Sequence, residues 1–431
     1  MLKLLSPGIK LIASNTFYQL LSKFITMSIT FALTYLISKN YGAYGYGLFA
    51  IFQSFPALFY IISDFGLNAI GALEISKNEK KGSEVLSNIL VLRLILSLFL
   101  MVICLILAFY LYPNEELRFG IALGSLIIVA QTLVATTNII YQLKLRYDIS
   151  ALSNVISYIF ILLGALYFIN NQVSVVFLNF LYVIGTFLAF GLNFYFLKKF
   201  DIKIKLKYEG KYLSKLALLS WPLGLMFVFS QINFKADSIL LSILPIPNLG
   251  LTNIETTGVY ALPYKIFEVM LVLPTFLMNS TYPLLLKSMQ NGFDKLKNNF
   301  KKTVFFMFGI GAASSLVLFV GVWFFLTPDL ISLIFDSEFV YSRDILLILF
   351  SGIFLFFLTQ PLAWFLVIIE KQRYLPFIYG FSAILNVSLN LIFIPQYSFY
   401  ASSVITLVTE GVILVLLLGV FFKFWFAKNA S

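Results

Sequence analysis

The stretch from Leu86 to Tyr112 reads LSNILVLRLILSLFLMVICLILAFYLY and decides the fold class, because it is almost entirely apolar. A helix rises about 1.5 Å per residue, so about 20 apolar residues cross the roughly 30 Å of hydrocarbon in a bilayer. The whole chain agrees: 60% of its 431 residues are hydrophobic and 11% are charged, whereas a soluble protein has about 45–50% and about 25%. Because backbone in lipid must satisfy its own hydrogen bonds, we predict an all-α polytopic membrane protein.

Apolar runs between charge clusters and turn residues extend this pattern to twelve transmembrane helices. The predicted spans are 12–37, 46–71, 86–112, 119–141, 151–170, 173–197, 216–244, 258–283, 303–327, 344–369, 374–394 and 399–422. The first run is longer than the apolar region of a signal peptide, so we expect it to remain in the protein as a span.

Lysine and arginine predict the orientation of these spans. With the N-terminus inside, 24 of the 30 basic residues, Arg93 among them, fall on the cytoplasmic side, and three fall on the other side. Such an excess is the positive-inside signal, and it predicts a multi-pass protein with both termini in the cytoplasm. The net charge of +11 is then attributed to loops that face anionic lipid, and no nucleic-acid partner is expected.

The longest basic segment divides the spans into two sets of six. We predict an N-terminal six-helix lobe over 1–197, a cytoplasmic linker over 198–215 and a C-terminal six-helix lobe over 216–431. Both lobes begin with a polar-studded span and a short outer turn rich in Gly and Tyr, at 42–49 and at 256–263. Internal duplication of this kind is common in secondary transporters, although any twelve-span protein can be cut into sixes.

Polar side chains inside the spans are the candidate site residues, since a charge at mid-bilayer costs about 2.5–3.5 kcal/mol and usually faces a polar interior. The residues predicted to line a substrate cavity are Lys23, Lys235, Lys265, Gln19, Gln231 and Asn233. Those predicted to couple transport to an ion are Asp237, Glu268 and Glu410.

Three of the carboxylates have alternative interpretations. Lys265 and Glu268 are three residues apart and can pair on one helix face, either to line a cavity or only to lower the cost of insertion. Asp64 lies near the inner end of its span and favours a helix cap or a side chain that reaches water. Glu410 has no basic neighbour in the sequence, which makes it a candidate proton or cation site.

Several catalytic classes are excluded by what the composition lacks. The chain has no His and one Cys, Cys104, so it cannot build a His-based triad, a His-ligated zinc site or an intrachain disulfide. A membrane glycan polymerase or ligase would need a sizeable outer loop, and the longest predicted here is Thr327–Asp344. We therefore predict no enzyme activity, no catalytic residue, no metal and no cofactor.

Four ordered stretches also carry a resemblance to a known family. They are Gly42–Phe49 with Ser63–Leu67, Lys235–Leu241 with Gly258–Ala261 and Tyr282–Pro283, Leu333–Tyr341, and Asn386–Asn390 with Ile394–Pro395. In order and spacing they resemble the polysaccharide transporter family of Wzx-type O-antigen flippases, within the multidrug/oligosaccharidyl-lipid/polysaccharide flippase superfamily.

This resemblance implies a function as well as a fold. It implies a MATE-like, V-shaped bundle of two lobes around a central cavity in the bacterial inner membrane. Such a protein transfers an undecaprenyl-diphosphate-linked oligosaccharide from the inner to the outer leaflet by alternating access. The implied partners are that lipid-linked glycan, membrane lipids, a polysaccharide polymerase and other assembly proteins. A MATE-like multidrug/cation antiporter is the alternative.

Overall fold

The protein is all-helical throughout the part that the computed structural model describes, which comprises residues 7–64, 66–68, 71, 74–75, 82–144, 146–200 and 210–427. The α-helices are α1 (Pro7–Asp64), α2 (Gly82–Leu111), α3 (Glu115–Leu143), α4 (Tyr147–Asn170), α5 (Val175–Leu197), α6 (Gly210–Ile243), α7 (Asn253–Met270), α8 (Val272–Gln290), α9 (Phe293–Phe325), α10 (Pro328–Ile334), α11 (Ser342–Ser351), α12 (Ile353–Ile368) and α13 (Leu375–Ala427). Short 3-10 turns occupy Lys198–Phe200, Ser337–Tyr341 and Gln372–Tyr374.

Within these described ranges, nine helical stretches are long and apolar enough to cross a membrane. Two of them, Phe17–Asp64 with 48 residues and Gln372–Phe426 with 55, would be about 72 Å and about 82 Å long if straight, more than twice the hydrocarbon thickness. The chain is thus a multi-pass, all-α membrane protein, as predicted. The count of twelve spans stays a prediction.

Each of the two longest helices is broken at one residue with a positive φ. In α1 the break is at Gly42 (φ 64°, ψ −170°), and in α13 it is at Ser398 (φ 52°, ψ −136°). The left-handed region favours glycine because it disfavours a Cβ atom. Both breaks fall between spans that the sequence analysis separates. The Ala43 N–H, which follows the first break, donates to Glu338 Oε2 at 3.3 Å and is thereby satisfied at a helix start.

The contacts between residues divide the chain into two compact units. One contains Met1–Tyr41 and Leu48–Val228, and the other contains Gly42–Gly47 and Phe229–Ser431. The predicted lobes and the linker that separates them stay a prediction, and half of that linker, 201–209, lies outside the described residues.

The first unit contains an ion pair that corrects the sequence analysis. Arg93, counted there with the cytoplasmic loops, lies in α2 with a fully buried side chain that donates to the Asp64 carboxylate. Its guanidinium also donates to Asn68 Oδ1 at 3.0 Å and to Thr136 Oγ1 at 3.1 Å. A buried cation is tolerated only when it is paired and hydrogen-bonded. Asp64, with its side chain 34% exposed, is therefore the counter-ion of Arg93, a role that neither interpretation of Asp64 anticipated.

Other polar groups of the first unit join its helices. Gln53 Nε2 on α1 donates to Asn179 Oδ1 on α5 at 2.7 Å, and Asn179 Nδ2 donates to the Gly120 carbonyl on α3 at 3.3 Å. At Gly120 an added Cβ would lie 2.2 Å from the ring of Phe52, so only glycine allows α3 this close to α1. These contacts hold the unit together and assign its neutral amides to helix packing.

Candidate functional site

Helix α6 carries four of the nine candidate residues, all in the part of the helix that belongs to the second unit, and Lys235 joins it to α7. Lys235 Nζ donates to Glu268 Oε1 at 2.6 Å. Lys265 Nζ, one turn before Glu268 on α7, donates to Glu268 Oε2 at 3.1 Å. We call Lys235, Lys265 and Glu268 the Glu268 triad. The predicted pairing of Lys265 with Glu268 is confirmed, and the second lysine is an addition that the sequence alone did not indicate.

The Glu268 triad is accessible as well as charged. The exposed fractions of its side chains are 20% for Lys235, 41% for Lys265 and 23% for Glu268. Two ammonium groups thus share one carboxylate, and Lys265 retains surface for contact with an anion. Ammonium groups bind phosphate oxygens through charge-assisted hydrogen bonds, so the triad has the chemistry to meet a phosphorylated ligand.

Asp237 lies two residues after Lys235, on a different side of α6, and is fully buried. Its Oδ2 accepts from the Tyr260 hydroxyl at 2.9 Å and from Thr406 Oγ1 at 3.0 Å. Its Oδ1 accepts from Asn390 Nδ2 at 2.9 Å. We call these four residues the Asp237 cluster.

The Asp237 cluster is made of oxygen-rich neutral groups around one carboxylate. Asn390 Oδ1 in turn accepts from Ser402 Oγ at 2.9 Å, which ties the two sides of the α13 break together. Within the described residues, Asp237 forms no ion pair with a lysine or arginine. Carboxylate, amide and hydroxyl oxygens are the ligands that hard cations prefer, and a carboxylate among neutral donors can also hold a proton.

Glu410 on α13 borders a second polar site, which we call the Glu410 pocket. Its Oε1 accepts from Thr359 Oγ1 on α12, and its side chain is buried. The pocket has a volume of about 20 Å³. The residues that line it are Ser230, Asn233, Phe234, Phe356, Tyr379, Thr406, Thr409, Glu410 and Ile413.

Asn233 gives the Glu410 pocket its unsatisfied polar group. Both its Oδ1 and its Nδ2 are buried and have no hydrogen-bond partner among the described residues. A cavity of this volume has room for one water molecule, which needs polar partners of this kind. Thr406 lines the pocket and also donates to Asp237, so the two buried carboxylates share one neighbour.

The structure thus brings together most of the predicted residues, but not all of them. The second unit contains Lys235, Lys265, Glu268, Asp237, Asn233 and Glu410 in the three arrangements above, together with the half-buried Gln231 on α6. Gln19 and Lys23 lie exposed on α1 of the first unit. No group of three or more His, Cys, Asp or Glu side chains suited to a metal occurs in the described part of the chain.

Sequence reasoning missed the partners of the buried carboxylates. Tyr260, Thr359 and Thr406 are remote in sequence from the acids that they contact, so no local pattern indicated them. Asn390 entered the sequence analysis only as part of the stretch Asn386–Asn390, without a role of its own. Its spacing of four residues from Asn386, which puts both amides on one face of α13, was the available signal.

Comparison with known proteins connects these helices to a family. The family model described as "Polysaccharide biosynthesis protein" matches residues 12–289, which is more than half of the chain. The chain belongs to this polysaccharide biosynthesis family. The match includes the Glu268 triad and Asp237, whereas Asn390, Thr406 and Glu410 lie beyond it.

Solved structures establish the fold of this family member. A lipid II flippase, MurJ, in an inward closed conformation is 17% identical with a TM-score of 0.72, over 93% of this chain and 86% of that one. A multidrug resistance MATE family transporter of the MOP superfamily, inward-facing, is 15% identical with a TM-score of 0.73, over 94% and 96%. A MOP superfamily transporter from Pyrococcus furiosus is 13% identical with a TM-score of 0.61, over 96% and 94%.

These similarities confirm the predicted MATE-like fold class. Because the sequence identities are low, the structural matches establish the architecture but not the substrate. The substrate must be inferred from the residues of this chain. A search of curated proteins finds no match.

Proposed function

We propose that the protein is a flippase that moves an undecaprenyl-diphosphate-linked oligosaccharide, such as an O-antigen or another surface polysaccharide repeat unit, from the inner to the outer leaflet. The observation that carries the proposal is the Glu268 triad, two lysines on one accessible carboxylate inside a membrane protein of the polysaccharide biosynthesis family. The architecture shared with a lipid II flippase supports the same class of substrate.

The chemistry of the substrate explains why such a triad is useful. A diphosphate and its glycan cannot cross hydrocarbon unaided, because burying an unpaired charge costs many kcal/mol. Lys235 and Lys265 would exchange the Glu268 carboxylate for phosphate oxygens, so the lysines keep an anionic partner with and without substrate. Lys23 on α1 is the third proposed cationic contact, and Gln19, Gln231 and Asn233 are proposed to bind the glycan or the headgroup. Alternating access would then expose this route to one leaflet at a time.

Ion coupling is the second part of the proposal. The Asp237 cluster offers three oxygen-bearing side chains around one carboxylate, and the Glu410 pocket offers a second buried acid beside space for one water. Binding of a proton or small cation at either site would remove a buried negative charge and alter the packing of α13 against α6. We propose that Asp237, Glu268 or Glu410 links transport to an ion gradient in this way.

The test is a flipping assay in proteoliposomes with a fluorescent undecaprenyl-diphosphate oligosaccharide. We expect Lys235→Ala and Lys265→Ala to lower the initial rate at least tenfold, whereas Lys39→Ala, which removes a lysine that lies over Tyr35, should change it little. If Lys23→Ala, Lys235→Ala and Lys265→Ala all flip substrate as the unmodified protein does, the cationic contact is wrong. Imposed proton and sodium gradients in the same vesicles identify the coupling ion.

The alternative function, a MATE-like multidrug/cation antiporter, is favoured by the likeness to multidrug transporters. The two functions differ in cells. Cells that lose an antiporter should become sensitive to dyes and antibiotics, whereas cells that lose a flippase should accumulate lipid-linked glycan on the cytoplasmic side of the membrane. Accumulation without sensitisation would support the flippase, and the reverse result would replace it by the antiporter.

We also propose that the protein lies in the bacterial inner membrane with both termini in the cytoplasm. Cys104 is its one cysteine and is buried, so a Cys104→Ala protein provides a background without thiols. In that background a membrane-impermeant maleimide should label Lys199→Cys only after the cells are opened and Lys39→Cys in intact spheroplasts. Labelling of Lys199→Cys from outside would contradict the orientation.

A further inference from the structure

Basic and aromatic side chains meet where the C-terminal end of α13 lies against the 3-10 turn Gln372–Tyr374, which precedes α13 in the chain. Lys371 Nζ lies 5.5 Å from the ring centroid of Phe424, and Lys423 Nζ lies 5.8 Å from the centroids of both Phe424 and Tyr374. Arg373 Cζ lies 5.7 Å from the centroid of Tyr374. The two rings are themselves 5.7 Å apart in an edge-to-face arrangement. Three cations are thus arranged around one pair of rings.

The start of α9 adds two more cations on the adjoining ring. Lys297 Nζ lies 5.4 Å and Lys301 Nζ 6.0 Å from the centroid of Trp425, the residue that follows Phe424. Trp425 is buried and packs against Phe421 and Phe300, at centroid distances of 4.7 and 6.0 Å. We call the five cations and the rings of Tyr374, Phe424 and Trp425 the cation–aromatic cluster.

Four of the five cations of this cluster have no counter-ion in the described parts of the chain. Lys301, Lys371, Arg373 and Lys423 take part in no ion pair there. The carboxylates nearest to the cluster in sequence, Asp294 and Glu370, are exposed and form no ion pair with it. The positive-inside pattern requires only that basic residues be present in the cytoplasmic loops, and it does not require them to be arranged around aromatic rings. Here the charges instead surround fixed rings, and each ring face orients its cations.

We propose that the cation–aromatic cluster binds the phosphodiester headgroup of an anionic phospholipid. Charge complementarity identifies the occupant, because four cations that form no ion pair in the described parts of the chain attract a phosphate in a membrane protein, and basic pockets between helices bind such headgroups. Arginine offers paired donors to phosphate oxygens, and lysine adds point charge. Aromatic rings of this kind lie at the level of lipid headgroups, where their apolar bodies meet the acyl chains. The site is independent of the proposed flippase function.

Trp425 provides a direct probe of occupancy. The chain has four tryptophans, so Trp221→Phe, Trp323→Phe and Trp364→Phe together leave Trp425 as the one fluorophore. We would reconstitute this protein in phosphatidylcholine nanodiscs and titrate phosphatidylglycerol whose acyl chains are brominated close to the headgroup. We expect saturable quenching at low mole fractions of phosphatidylglycerol, and weak, unsaturated quenching by equally brominated phosphatidylcholine.

Two triple variants test which charges are responsible. Lys371→Gln, Arg373→Gln and Lys423→Gln together should weaken phosphatidylglycerol binding on the order of 100-fold, since each basic residue contributes to headgroup attraction. The matched control, Lys287→Gln, Lys295→Gln and Lys302→Gln, removes the same charge from exposed lysines outside the cluster and should bind within about twofold of the parent. If the first triple variant does not fold, Lys423→Gln alone gives the same comparison against Lys302→Gln.

Three results would overturn the proposal. They are equal quenching by the two brominated lipids, an equal loss of binding in both triple variants, and displacement of phosphatidylglycerol by millimolar inorganic pyrophosphate. The last result would assign the cluster to a soluble phosphate compound instead of a membrane lipid.

Discussion

Lys235 Nζ and Glu268 Oε1 lie 2.6 Å apart although 33 residues separate them in the chain. This contact fixes α6 against α7, and Lys265 completes it from the same helix as Glu268. In the proposed function these lysines receive the substrate's diphosphate. The carboxylate then acts as the partner that holds them in place between transport cycles.

Replacement of Glu268 tests this role of the carboxylate. Glu268→Gln leaves both lysines without their shared anion, and we expect the initial flipping rate in proteoliposomes to fall at least tenfold. Glu268→Asp keeps the charge and should retain most of the rate. Circular dichroism and the yield of folded protein separate a transport defect from misfolding, and a Glu268→Gln protein with unchanged rate would contradict the role.

We expect the hydrogen bonds that Asp237 accepts to stabilise the folded protein. In Thr406→Val one of three donors to the buried carboxylate is lost, which should cost about 1–3 kcal/mol and lower the midpoint of thermal unfolding in detergent. Thr303→Val is the matched control, because Thr303 bonds only to the Asn299 carbonyl of its own helix in the described contacts. Equal midpoints for the two variants would show that the Thr406 bond does not stabilise the fold.

The same cluster predicts an ion effect on transport. Asp237→Asn removes the carboxylate while keeping its size, so transport by this variant should no longer respond to the coupling gradient, whichever ion supplies it. Glu410→Gln is the parallel test of the Glu410 pocket. The measurement is the ratio of flipping rates with and without an imposed gradient, and an unchanged ratio in both variants would remove these two acids from the coupling proposal.

The Arg93–Asp64 pair is expected to stabilise the first unit. Arg93→Met leaves the Asp64 carboxylate, Asn68 and Thr136 without their donor, and breaking a buried pair typically costs about 3–5 kcal/mol. The exposed pair of Arg146 with Asp148, at 2.8 Å, provides the control: Arg146→Met should cost about 0–1 kcal/mol. Unfolding midpoints of the two variants decide the matter, and equal losses would contradict the burial argument.

Two glycines of the second unit allow a close backbone approach. A Cβ added at Gly47 would lie 1.9 Å from the Ile254 carbonyl oxygen, and one at Gly258 would lie 2.1 Å from the Ala43 carbonyl oxygen. Because backbone atoms cannot yield as a flexible side chain can, Gly47→Ala should reduce the yield of folded protein severely. Gly309→Ala meets nothing within 4 Å and should be neutral or slightly stabilising. Monodisperse protein recovered by size-exclusion chromatography is the measure.

Short-range patterns explain how much of this protein the sequence could predict. Hydropathy separated the spans at the places where Gly42 and Ser398 break α1 and α13, since a turn between two apolar runs is a local signal. The pairing of Lys265 with Glu268 was equally local, because residues three apart share a helix face.

Long-range contacts could not be predicted in the same way. Asp237 meets Asn390 across 153 positions and Thr406 across 169, and helix packing, which one sequence does not specify, brings them together. Arg93 was misplaced for the same reason: without its contact to Asp64, a guanidinium near the end of an apolar run has the appearance of a loop residue.

The uneven charge of the Glu268 triad has an electrical consequence. Its two lysines and one glutamate carry one formal positive charge in excess, on helices of a membrane-spanning protein. A membrane potential does work on any displacement of that charge along the membrane normal, about 2.3 kcal/mol per 100 mV for a full crossing. A conformational change that carried the triad along the membrane normal would therefore be voltage-sensitive. In the proposed function a bound diphosphate would reverse the sign of the moving charge, and with it the direction in which the potential drives the change.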